Sequence, residues 1–146
     1  MRRFQFSLES VLTIRQKALK DAQIQLASIT NVYNTQKNVL NEMMFDLANL
    51  EKEASKYIEE GDINPDIIAN YTSFSGKLSS DIKTQELIIE KTKEDMLLQQ
   101  EITKQAYIKV KSLENLKDKQ KENYNKELLL EEFKELDDMS ASRRSA

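Results

Sequence analysis

A chain of 146 residues with two glycines, one proline and no cysteine, histidine or tryptophan lacks the turn residues of a sheet or mixed fold, for which average usage supplies about 10 Gly and 7 Pro. It also has no thiolate, no imidazole base and no zinc-type ligand set. Charged residues at 32% and hydrophobic ones at 39%, with a net charge of −3, are too apolar for a disordered tail and too polar for a thick-cored globule, which leaves long, thin helices. The start, MRRFQFSLES, has neither the apolar stretch nor the small-residue cleavage site of a secretory signal. No run of about 18 apolar residues follows it, so the expected protein is soluble and unexported.

The first predicted element is a helix from about residue 7 to 60. Steps of four and three from Leu8 visit Leu12, Arg15, Leu19, Ala22, Leu26, Ile29, Tyr33, Gln36, Leu40, Met43, Leu47, Leu50, Ala54 and Tyr57, and thirteen of these fifteen positions are apolar. A 3.5-residue repeat held for so long makes a seam that faces a partner helix. The stretch EEGDINPDI then carries stop and start signals together. Gly61 suits the left-handed end of a helix, Asn64 suits the next cap, Pro65 suits a first turn and Asp66 complements the positive helix end. The connection 61–64 can only reverse the chain.

A second helix is predicted from 65 to about 138, followed by a flexible tail over 139–146. The fold expected is all-α: one antiparallel coiled-coil hairpin over 1–146, with the second helix longer. Its seam runs Ile68, Tyr71, Ser75, Leu78, Ile82, Gln85, Ile89, Thr92, Met96, Gln99, Thr103, Ala106, Val110, Leu113, Lys117, Gln120 and Tyr124, of which ten of seventeen are apolar. That weaker pattern predicts slips of register near Phe74 and Ile102. Gly76 inside the helix predicts a local bend or the close approach of another chain. Opposed residue numbers should sum to roughly 125, so Leu8 faces about residue 117 and some twenty residues of the second helix overhang, about 30 Å. On the overhang Leu129, Phe133 and Leu136 form an apolar stripe with no intrachain helix to cover it, although Phe4 and Phe6 could fold back onto its start.

Charge is unevenly spread. Residues 1–36 sum to +3, 37–66 to −5, 104–126 to +4 and 127–138 to −5. The two basic segments lie side by side in an antiparallel pair, a pattern that suits an acidic partner surface; the plainer reading is a solvated coiled-coil face. Nucleic acid is disfavoured by the net charge and by the scarcity of aromatics among the lysines, and membrane insertion by the absence of a span. Catalysis has no support. Gly76-Lys77 is not a phosphate loop, and carboxylates such as Glu59-Glu60 and Glu131-Glu132 stand in water without a cleft. No cofactor or metal is expected.

The opening Phe4-x-Phe6-x-Leu8-Glu9-x-Val11-Leu12-x-x-Arg15, the stretch Tyr71-x-x-Phe74-x-x-x-Leu78-x-x-x-Ile82 and the terminal Glu131-Glu132-Phe133-Lys134-Glu135-Leu136-Asp137-Asp138 before Arg143-Arg144 together resemble the flagellar export protein FliJ family over the whole chain. The resemblance implies a cytoplasmic, non-enzymatic stalk, peripheral at the inner face of the cell membrane, in the type III export machinery behind motility and chemotaxis. Its implied partners are the flagellar export ATPase, the cytoplasmic domain of the export gate protein and export chaperones. By position, Tyr71, Phe74, Leu78 and Gln85 are the implied gate-binding residues, with Asp81 where some relatives carry a small residue. Phe4, Phe6, Leu8, Leu129, Phe133 and Leu136 fall to the implied ATPase-binding end. Tyr71 and Leu78 also sit on the seam and could simply hold the hairpin together, whereas Phe74 lies off it. The stalk of a virulence type III system, or a generic adaptor coiled coil, would share this shape.

Overall fold

A computed structural model describes residues 3–61 and 63–145, the side chain of Ser145 excepted. Two helices account for it: α1 (Glu9–Glu59) and α2 (Pro65–Ser145), with no strand among the described residues. The fold is an all-α antiparallel helical hairpin with the second helix the longer.

Local chemistry sets the ends of the helices. The Gly61 backbone takes φ +78°, a conformation that costs a Cβ-bearing residue roughly 1–2 kcal/mol, and its N–H donates to the Ile58 carbonyl at 3.2 Å. Asn64 caps α2: its Oδ1 accepts from the Asp66 N–H at 3.0 Å and its carbonyl from the Ile68 N–H at 3.1 Å, satisfying donors that a helix start leaves open. Pro65 fills the first position, where its missing N–H costs nothing. Of the turn 61–64, Asp62 lies outside the described residues. At the other end α2 runs on through 139–145, where a flexible tail was expected. No glycine or proline follows Gly76, and Arg143 and Arg144 stand in the last turn, where cations favour the negative helix end.

The chain forms two compact units: the described parts of Met1–Ala22 with Ile102–Ala146, and Gln23–Glu101. In the first, Phe4 meets Tyr124, Glu9 meets Lys117 and Ala22 meets Thr103. In the second, Gln36 meets Gln85 and Tyr57 meets Tyr71. In each unit the number in the first half of the chain rises as the α2 number falls, so the pairing is antiparallel and close to the expected register.

Of the fifteen seam positions in α1 all but Arg15 are buried or half-buried, as are all seventeen in α2. No slip occurs at Phe74 or Ile102. Both stand exposed while Ser75 and Thr103 keep the seam. The polar seam residues stay in place by bonding across to backbone: Gln85 Nε2 donates to the Gln36 carbonyl at 3.0 Å, and Thr103 Oγ1 to the Ala22 carbonyl at 3.3 Å. A polar side chain bonded in this way tolerates partial burial, so the register has no reason to shift.

The first unit has the denser core. Phe6 (7% exposed), Leu12 (3%) and Val110 cluster there, with Phe4, Leu8, Leu19 and Leu113 packed against them. The second has one buried apolar side chain among its described residues, Ile82. α2 runs through Gly76 without interruption, and a Cβ there would meet nothing within 4 Å.

Candidate functional site

The second unit carries the residues assigned to the gate by resemblance, and the seam sorts them. Tyr71 faces α1, its ring 6.2 Å from Tyr57, and the Tyr57 hydroxyl accepts from the Asn64 N–H at 3.2 Å, which ties the ring pair to the turn. Leu78 is half-buried on the seam, and the Gln85 amide is committed to Gln36. Phe74 is the one that faces out, 60% exposed. It borders a shallow depression of about 330 Å³ lined by Leu50, Ile67, Asn70, Tyr71 and Phe74. Three of its four apolar walls come from α2 within two turns, and Leu50 closes it from α1. Leu50 and Ile67 were not singled out from the sequence. The available signals were the place of Leu50 one turn from Ala54, the seam position opposed to Tyr71, and the heptad step from Ile67 to Phe74. Asp81 is exposed one turn beyond Leu78.

In the first unit, Phe4 and Phe6 pack onto α2 well before the overhang stripe. Phe6 lies in the core with Leu12 and Val110, and the Phe4 ring sits 5.6 Å from Tyr124. Leu8 is half-buried against the same cluster. Glu9 pairs with Lys117 at 2.9 Å, but both side chains are well hydrated, and such a pair is worth at most about 1 kcal/mol. Phe4, Gln5, Phe6, Glu9, Lys117 and Lys121 line an open recess of about 500 Å³.

Beyond Tyr124 no residue of α1 is left to pack on α2, and Leu129, Leu130, Phe133, Leu136 and Met139 are all more than half exposed. Leu129, Phe133 and Leu136 recur at helical spacing, and Leu130 widens the stripe on one side. Glu127, Glu131, Glu132, Glu135, Asp137 and Asp138 accompany it, none in an ion pair among the described residues. An apolar stripe edged with carboxylates has the pattern that lies in the apolar groove of another protein. Among the described residues there is no cluster of acidic side chains fit to hold a metal ion, and no helix long and apolar enough to cross a membrane.

The family model described as the flagellar FliJ protein matches residues 4–146. No curated protein and no solved structure matches the chain.

Proposed function

From the premise that the chain belongs to the flagellar FliJ protein family, and so is a component of flagellar protein export, we propose that it acts as a non-enzymatic stalk and escort, coupling the export ATPase ring to the cytoplasmic domain of the export gate and handling export chaperones. The observation that carries this reading is the stripe Leu129, Phe133 and Leu136 on a stretch of α2 that has no α1 beside it. A helix end that projects bare, with about three turns of apolar surface, is suited to enter a ring and seat against its inner wall. Phe6 and Leu8 serve this end indirectly, by anchoring the segment before α1 to Val110 and Leu113.

The gate contact falls on the second unit. Phe74, with Ile67 and Leu50 around the depression beside it, gives an exposed apolar anchor with a recess next to it, and large exposed aromatics are common binding hot spots. Tyr71, Leu78 and Gln85 hold the backbone beneath Phe74. The working location is the cytoplasm at the inner face of the cell membrane, where ATPase and gate meet. A pulldown with the export ATPase tests the assignment. The full chain should be retained and a chain ending at residue 126 should not; equal retention of both would remove the overhang from the ATPase site.

A further inference from the structure

A row on α2 distinct from the seam remains without a partner: Lys109, Leu116, Asn123, Leu130 and Asp137, at seven-residue steps. All five side chains are exposed, Leu116 at 38% and Leu130 at 68%. Seven-residue spacing keeps them on one face, because α2 holds the 3.5-residue phase through Tyr124 and a straight helix then drifts only about 20° per heptad. Read forward the row is basic, apolar, polar, apolar, acidic. Read backward it is acidic, apolar, polar, apolar, basic, its own complement.

We propose that this row is a self-association surface, on which a second copy of the chain packs its α2 antiparallel about Asn123. That arrangement sets Leu116 against the second copy's Leu130, Lys109 against the second copy's Asp137, and Asn123 against its equivalent. Each contact occurs twice because a two-fold interface is isologous. The wider charge agrees. Reversal about Asn123 lays residues 127–138, which sum to −5, along 108–119, which sum to +2, while 120–126 meets its own copy. Within the chain these charges go largely uncompensated: Lys109, Lys119 and Lys121 make no ion pair among the described residues, nor does any carboxylate of 127–138. The paired length, 109 to 137, is about 42 Å of helix. Every residue of the row lies within the first unit. If the overhang is also the ATPase-binding end, as proposed above, then the dimer covers Leu130 beside Phe133 and competes with the ATPase.

Sedimentation equilibrium of the full chain at low ionic strength tests the row. The expected result is a reversible monomer–dimer equilibrium that weakens as salt is added. Leu130→Glu should raise the dimer dissociation constant about a hundredfold. Lys109→Glu or Asp137→Lys alone should each raise it about tenfold, because like charges then meet at both symmetric sites, and the double reversal should restore most of the affinity. All of these positions are exposed, so unchanged helicity by circular dichroism accompanies the expected result. A chain that stays monomeric at every concentration, or a double reversal no tighter than either single one, overturns the proposal; the first outcome would leave the row to a helix of another protein. The competition is read separately. A dimer whose formation leaves ATPase capture unchanged keeps the row and removes the overhang from the ATPase site.

Discussion

The same side chain does different work at two positions, and removing it from each separates fold from function. Phe6 is 7% exposed in the core of the first unit, and Phe74 is 60% exposed beside a shallow depression. An aromatic side chain presents roughly 200 Å², and burial is worth about 25 cal/mol per Å². Phe6 therefore gains between 4 and 5 kcal/mol as an approximate upper bound, and Phe74 about 2 kcal/mol. Subtracting what alanine retains and what a compact denatured chain already covers leaves about 3 kcal/mol lost in Phe6→Ala and about 1 kcal/mol in Phe74→Ala. With an unfolding entropy near 2.1 cal/mol/K per residue, a chain of this length loses about 1 °C of Tm for every 0.3 kcal/mol. The expected shifts are about 10 °C for Phe6→Ala and about 3 °C for Phe74→Ala, measured by thermal unfolding followed by circular dichroism. Binding should rank the other way: Phe74→Ala weakens capture by the gate domain about tenfold or more, and Phe6→Ala leaves it unchanged below the melting transition. Equal Tm shifts would refute the surface reading of Phe74, and unaltered gate binding would refute its role.

Three further substitutions probe the hairpin itself. Gly76→Ala should raise stability by about 1 kcal/mol, because the added methyl meets open space in a helix interior. Gly61→Ala should lower it by about 1–2 kcal/mol through its positive φ, and urea midpoints of the two variants should move in opposite directions. Gln36 Oε1 lies out of solvent with no hydrogen-bond partner, so Gln36→Leu should stabilise by about 1 kcal/mol, since the carbonyl that accepts from Gln85 is main chain and survives the change. A destabilised Gln36→Leu variant would mean that the amide contributes to the seam.

Much of this fold is legible in the sequence, because seven heptads of apolar residues allow α1 only one face to bury and a lone Gly-to-Pro turn allows only one reversal. The departures are local and physical. The weaker apolar pattern suggested slips in α2 near Phe74 and Ile102, but the polar seam residues Gln85 and Thr103 each bond to a backbone carbonyl across the seam, and the sequence does not display such a bond. Residues 139–145 suggested a tail, yet nothing in them breaks a helix. The overhang stripe stood out because it outruns α1. That Phe6 would be buried was hinted only by the alternation Phe4-x-Phe6-x-Leu8, a short signal beside long helices. At the candidate gate site Phe74 was recognisable by its place off the seam, while Leu50 joined it only through packing across the pair.

The central claim is that one chain grips two partners by separate surfaces, and a bridging capture tests it most directly. With the gate domain immobilised, the export ATPase should be retained only when the full chain is added. Phe74→Ala should lose both chain and ATPase, and a chain ending at residue 126 should stay on the gate domain while releasing the ATPase. Retention of the ATPase without the chain, or a truncated chain that bridges as well as the full one, would contradict the account.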